Sequence, residues 1–292
     1  GRPIIEWVVD HLAIHGVDEV VLSLGYRPDA FLQAYPEGRY GGVALRYAVE
    51  PEPLDTAGAI AFAAGQAGVK ETFVVANGDV LGDVDLGALV DFHRRREAEA
   101  TIHLLPVEDP SRFGVVVAGP DGRVESFVEK PPPGTAPSNL INAGTYVMEP
   151  SVLDRIPRGR RVSVERQTFP ALVGDGTLYA LSWPGSWVDV GTPRHYLEAN
   201  LARGAADGPG AGVRHSVVGA GARLGRGAVV EGSVVMDGSE VGAGAVVRDS
   251  IVGPGAVVGP GAVVSGLSVL GAGAEVAAGQ RVTGERLPRI DP

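Results

Sequence analysis

The chain has 292 residues, no cysteine and a formal net charge of −10, a length that accommodates two domains of ordinary size. That balance excludes a broad nucleic-acid or acidic-membrane surface, which needs clustered positive charge. The missing cysteine excludes disulfides, thiolate catalysis and Cys-ligated metal, and no apolar run approaches the ~18 residues that span a bilayer. The first residues carry no signal-peptide pattern, so the expectation is a cytoplasmic protein with no membrane and no nucleic-acid partner.

Residues 3–15 form the first predicted helix. Pro3 suits a first turn, and Ile4, Ile5, Val8, Val9 and Leu12 share one face. Glu19–Leu24 is an apolar run stopped by Gly25 and reads as a buried strand. A short helix over Pro28–Ala34, a strand over Val43–Val49 and a helix over Thr56–Ala67 follow. Thr72–Ala76 is a buried strand ending in Asn77-Gly78-Asp79, Leu86–Ala98 an amphipathic helix and Ala100–Pro106 a strand. This alternation predicts βαβ units and a mixed, mainly parallel sheet. After Pro106 the pattern changes. Phe113–Val117 and Arg123–Glu129 flank Pro120-Asp121-Gly122, a hairpin signal. Strands are expected over Leu140–Met148, Leu178–Trp183 and Trp187–Val190, and helices over Val164–Leu172 and Pro193–Arg203.

Composition then shifts. Every aromatic residue lies at or before Tyr196, whereas glycine crowds into the last third. The division expected is a first domain over 1–203, a linker over 204–212 and a repeat domain over 213–284. In the repeat, apolar residues recur at Val218, Leu224, Val230, Met236, Val241, Val247, Val252, Val258, Val264, Leu270 and Val276, mostly six apart. No α-helix has period six. Hexapeptide periodicity predicts short strands stacked as a parallel β-helix of between three and four coils, with glycine at the corners.

Five segments could carry chemistry. Asp79 ends a strand in Asn77-Gly78-Asp79, where a carboxylate can hold Mg²⁺; taken alone the triplet reads first as an ordinary strand-end turn. Phe127-Val128-Glu129-Lys130-Pro131 pairs an acid with one of only two lysines, in a chain whose other 23 basic residues are arginine. A lysine ammonium suits a single phosphate oxygen, which puts a functional role ahead of an exposed ion pair at a strand end. Asn142-Ala143-Gly144 places an amide and two small residues in a strand, as either a ligand approach or a bulge. Trp187-Val188-Asp189-Val190-Gly191-Thr192-Pro193 puts a carboxylate before a helix, for a metal or for a local partner. Glu50–Ala59 (EPEPLDTAGA) leads into a helix whose first amides could receive an anion or a base edge, or simply be capped.

Together and in order, GRPIIEW, EPEPLDTAGAI, NGD, RFGVV, FVEKP, NAGTYV, VSVERQTFP, WVDVGTP and the hexapeptide tail resemble the sugar-nucleotide pyrophosphorylase (NDP-sugar nucleotidyltransferase) family across nearly the whole chain. The resemblance implies a Rossmann-like α/β nucleotidyltransferase domain followed by a left-handed parallel β-helix. It implies attack of a sugar-1-phosphate on the α-phosphorus of an NTP, with release of pyrophosphate. Asp79 and Asp189 would bind Mg²⁺ and act with Lys130, which would hold the sugar phosphate. Gly114, Glu129, Asn142 and Gly144 would line the sugar. Pro53, Leu54, Thr56, Ala57 and Gly58 would line the base. The TAGA loop is the guanylyl-type form, favouring GTP and mannose-1-phosphate. A homo-oligomer is expected, with the β-helix as the assembling part.

The family's GGxGTRLxPLT loop and the lysine beyond it precede the segment matching GRPIIEW. The expectation is therefore an upstream segment, without which these 292 residues would fold but turn over poorly. Two alternatives stay open. One is a non-catalytic regulatory subunit of the same plan. The other is a hexapeptide-repeat acyltransferase, against which stands a repeat with only His215, at its edge.

Overall fold

The computed structural model describes residues 2–207 and 212–288. They form two compact units that divide between Trp187 and Val188. Part of the expected linker, residues 208–211, lies outside the described residues.

The first unit, Ile4–Trp187, is built on a three-stranded and a six-stranded sheet. Helix α1 (Ile4–Ile14) buries Val8, Val9 and Leu12, and Val9 packs with Val43 and Leu45. Strand β1 (Glu19–Leu24) runs parallel to β3 (Val43–Val49), and the short β2 (Arg39–Tyr40) adds antiparallel. Helix α2 (Pro28–Ala34) follows β1, and α3 (Asp55–Ala67) follows β3. The second sheet is built on β9 (Leu140–Met148), which pairs antiparallel with β4 (Phe73–Ala76), β6 (Ala100–Pro106) and β7 (Gly114–Ala118). Strand β8 (Val124–Glu129) closes the hairpin with β7, and β10 (Leu178–Ser182) runs parallel to β6. Gly122 makes the hairpin turn at φ +85°, a conformation glycine adopts without strain. The sheets are mixed as expected but not mainly parallel. The long β9 inserts between strands that run the other way, so antiparallel pairings predominate among the described residues of this unit. Among the described residues β1 pairs only with β3, and β4 only with β9.

The core of the second sheet gathers Ile102, Leu104, Val116, Tyr146, Met148, Phe169 and Leu172. At its margin His93, from α4 (Leu86–Arg96), is 1% exposed. Its ring nitrogens meet Thr101 Oγ1 at 2.8 Å and Glu149 Oε1 at 3.1 Å. Burial lowers its pKa, and Glu149 only partly offsets that. A histidine shifted down on folding binds fewer protons than in the unfolded chain, so stability rises with pH between the folded value and the ordinary value near 6.5. His11 and His103 shift the same way, also by burial. The thermal midpoint is expected to fall as pH drops through 6.5, and His93→Gln to flatten that slope; a midpoint independent of pH from 7.5 to 5.5 would contradict this.

The second unit runs from Val188 onward. Its fourteen short strands, β12 (Val213–Arg214) to β25 (Arg286–Leu287), stack in three parallel sheets of five, five and four strands. This is a three-sided β-helix with more coils than the repeat alone predicted, because Val213, Val282 and Leu287 extend the columns at both ends. The registers Val230↔Val247↔Val264 and Val235↔Val252↔Leu270 define the buried columns. Val235 therefore takes the inward place expected of Met236, which packs outside with Leu197 of α7 (Pro193–Gly204). Coils are seventeen residues long until Ser265-Gly266-Leu267-Ser268, where one extra corner residue makes eighteen.

A serine ladder stiffens one corner. Ser233 Oγ accepts from Ser250 N at 3.1 Å and donates to Glu231 O at 2.8 Å, wholly buried. Ser233→Ala strands that amide and is expected to cost about 1–3 kcal/mol, read as a lower urea midpoint at unchanged m-value.

Candidate active site

Three consecutive strands bring Gly114, Glu129 and Asn142 into one row across the second sheet. Register pairs Gly114 with Glu129 on β8, and Val115 with Ile141 on β9, which sets Gly114 beside Asn142 on its other side. In-register residues of antiparallel strands share a face. Glu129 and Asn142 thus flank a position with no side chain. A Cβ on Gly114 would lie 2.6 Å from Phe127 Cζ and 3.1 Å from Glu129 Oε2. The result is a trough in which the Phe127 ring fills the place of the missing side chain, with a carboxylate on one wall and an amide on the other.

The charges around the trough are unevenly exposed. The Glu129 side chain is 17% exposed and Lys130 61%, with Nζ 3.6 Å from Glu129 Oε1. Burial and the nearby Glu165 carboxylate push the Glu129 pKa up, against Lys130 and Arg166. Lys130 has φ +48°, rare for a residue with a side chain, and is anchored by its N–H to Phe113 O at 3.0 Å. The strand end therefore turns sharply at the one residue expected to meet phosphate.

Asn142 is tied at both ends. Its Oδ1 accepts from Gly144 N at 3.0 Å, and its Nδ2 donates to the buried Tyr146 hydroxyl at 2.9 Å. The register between β6 and β9 shifts here, so the segment is a bulge. Gly144 has φ +78°, and a Cβ on it would lie 2.7 Å from Asn77 Nδ2. Asn77 N donates to Gly144 O at 2.9 Å. The bulge and the Asn77-Gly78-Asp79 turn are therefore seated on each other, with Asp79 exposed at the end of β4. Trp187, in β11 (Trp187–Asp189), braces the bulge from Nε1 to Ala143 O at 2.9 Å and meets the Phe113 ring edge-on.

The segment entering α3 is built differently from a free anion cradle. Leu54 and Ala57 are buried. The amides of Ala57 and Gly58 donate to Val162 O at 2.9 and 3.1 Å, and Val162 N donates to Leu54 O. A Cβ on Gly58 would lie 2.6 Å from Arg160 O, so glycine is required for this approach. Asp55 has φ +61° and accepts from Thr56 N rather than capping the helix. Pro53 remains exposed on the outer side of the turn. Leu54 N donates to Glu50 Oε2 at 3.0 Å, which fixes the loop to the end of β3.

Glu165 and Arg166, which face Glu129, had no role assigned from sequence. They lie on a π-helical turn, Val164–Thr168, within the stretch expected to be plain helix. Adjacent opposite charges inside an apolar run were the available signal. Asp189 belongs to the second unit. Its Oδ1 accepts from Gly191 N at 2.8 Å, and Thr192 caps α7 through His195 N. Asp79 and Asp189 both offer hard carboxylate oxygens, the donors Mg²⁺ takes when phosphates and water fill its other positions. Among the described residues no cluster of three or more His, Asp or Glu could hold a metal without such a ligand.

The nucleotidyl transferase family model matches residues 1–205. The chain belongs to this family. The model of the GMPPB C-terminal domain matches residues 202–288 of this nucleotidyl transferase. It is 41% identical over 213 residues to a mannose-1-phosphate guanylyltransferase of Mycobacterium tuberculosis, covering 72% of this chain and 58% of that protein. It is 42% identical over 202 residues to a mannose-1-phosphate guanyltransferase of Aspergillus oryzae, covering 68% and 54%. The chain thus spans little more than half the length of the curated relatives it matches. Among solved structures, HddC from Yersinia pseudotuberculosis is similar at TM-score 0.59 and 27% identity, covering 68% of this chain and 84% of that one. The same protein is known in complex with GMP-PN. No described helix is long and apolar enough to cross a membrane.

Proposed function

We propose that this nucleotidyl transferase joins GTP and mannose-1-phosphate to give GDP-mannose and pyrophosphate, in the cytoplasm. The row Glu129–Gly114–Asn142 carries the reading: a hexose ring can lie against the Phe127 ring that fills the place of the missing side chain, with a carboxylate and an amide against its hydroxyls. Lys130, at the turn leaving β8, receives the sugar phosphate. The phosphate oxygen of the sugar is already an anion, so no general base is needed. It bonds to the α-phosphorus, the α–β bridging P–O bond breaks, and pyrophosphate leaves with that electron pair. What the chain supplies is alignment and charge neutralisation. Asp79 and Asp189 each offer a carboxylate of the kind that would hold Mg²⁺, which offsets phosphate charge when bound.

On the nucleotide side the exposed Pro53 and the turn Leu54–Gly58 form the wall toward the base, held in shape by the bonds to Val162. The proposal includes a homo-oligomer. Val218 and Leu224, inward positions of the first coil, are 39% and 37% exposed, and a second copy at that end would cover them. His215 is the only histidine of the repeat and is exposed, which does not favour acyl transfer.

Equilibrium titration with GDP-mannose, UDP-glucose and ADP-glucose in the presence of Mg²⁺ tests the reading. GDP-mannose should bind at least tenfold tighter than the others; equal binding of all three, or preference for another, refutes the substrate assignment.

A further inference from the structure

The proposed sugar trough and the proposed nucleotide wall are joined through one hydroxyl. Thr56 Oγ1, on the first turn of α3, donates to Glu165 Oε2 at 2.8 Å and accepts from Val164 N at 2.7 Å. Ser163 Oγ donates to the same Glu165 oxygen at 2.8 Å. With Val162 bonded to Leu54, Ala57 and Gly58, the turn at 54–58 and the π-helical turn are stitched into one body. Glu165 is held by a single oxygen. Its Oε1 makes no hydrogen bond among the described residues, and its charge lies near enough to raise the pKa of Glu129.

Building on the functional reading above, we propose that Thr56 is a positioning residue: it fixes the Glu165 carboxylate by Oε2 so that Oε1 accepts a hydroxyl of the sugar lying over Gly114. Thr56 then serves sugar recognition through Glu165 as well as shaping the nucleotide wall. An ionised carboxylate only accepts hydrogen bonds and a sugar hydroxyl donates one, so the pairing is chemically matched. Two carboxylates against one polyol discriminate by hydroxyl geometry only if neither rotates freely, and a carboxylate tethered by two hydroxyl donors on one oxygen loses that freedom before the ligand arrives. A π-helical turn, uncommon and frequent at functional sites, presents Glu165 and Arg166 together.

The test is calorimetric titration of the full chain with mannose-1-phosphate and, separately, with GTP and Mg²⁺, for the wild type, Thr56→Val, Thr56→Ser and Glu165→Gln. Thr56→Val should weaken mannose-1-phosphate binding roughly tenfold, one charge-assisted contact's worth, and weaken it more than it weakens GTP. Thr56→Ser, which keeps Oγ, should stay within about twofold of wild type. Glu165→Gln keeps the Thr56–Val164 bond, so it reads the carboxylate even where Thr56→Val disturbs folding. It should weaken mannose-1-phosphate to a similar degree. Glu129 faces Glu165 and Arg166 from the π-helical turn and Lys130 at its own strand end. Removing the Glu165 charge should therefore move the acid limit of sugar-phosphate binding to lower pH, a shift that loss of packing alone would not cause. Wild-type affinity in both Thr56→Val and Glu165→Gln overturns the proposal, as does a Thr56→Val variant that loses GTP and keeps mannose-1-phosphate. A wild-type chain that takes up GTP but no mannose-1-phosphate overturns the functional reading itself.

Discussion

Lys130→Ala is expected to lower kcat/KM for mannose-1-phosphate by on the order of 10²-fold while leaving KM for GTP within about twofold, because a charge-assisted phosphate contact is worth about 2–4 kcal/mol in the transition state. The structural ground is a lysine placed at unusual cost. Its φ of +48° is strained for any residue with a side chain, yet the backbone is held there by the bond to Phe113 O. Its side chain is 61% exposed, with Nζ 3.6 Å from Glu129 Oε1, so it gives little to stability. Lys130→Arg should recover only part of the loss, since a planar guanidinium does not replace a compact charge at one oxygen. Unchanged steady-state kinetics in Lys130→Ala would return the residue to an exposed ion pair.

Gly144→Ala is expected to damage both the fold and the metal-dependent step. The φ of +78° alone penalises a side chain by about 1–3 kcal/mol, and the new methyl would lie 2.7 Å from Asn77 Nδ2. Rotating the Asn77 amide away still leaves its Cβ 3.2 Å from the methyl, and the turn that carries Asp79, joined to the bulge by the Asn77 N–H to Gly144 O, shifts with it. The urea midpoint should fall, and the Mg²⁺ concentration for half-maximal rate should rise severalfold. A destabilised variant with the wild-type Mg²⁺ requirement would show that bulge and turn are not coupled as described.

Most of the fold was legible because its signals are local. Glu19–Leu24, Pro28–Ala34, Val43–Val49, Ala100–Pro106 and Leu140–Met148 were expected with the bounds observed, since Gly, Pro and apolar runs mark their ends. Pairing direction was not legible. Nothing within β9 itself says that it will run antiparallel among β4, β6 and β7, because that choice is made by strands up to seventy residues away. The Met236 and Val235 exchange has a similar origin. Both are apolar and adjacent, and only the corner geometry decides which points inward. At the site, the charged and glycine-bearing motifs stood out by composition, whereas Thr56 and Glu165 did not. Their role depends on a hydrogen bond spanning 109 positions, and a threonine at a helix start looks in sequence like any cap.

The most direct test of the central claim is pyrophosphate release from GTP and mannose-1-phosphate, with Mg²⁺, by the whole gene product. The account predicts release that requires both substrates, matches GDP-mannose formed one for one, and falls on the order of 10²-fold in Lys130→Ala. Saturable GDP-mannose binding with no pyrophosphate released under any of these conditions would contradict it and identify a regulatory subunit instead.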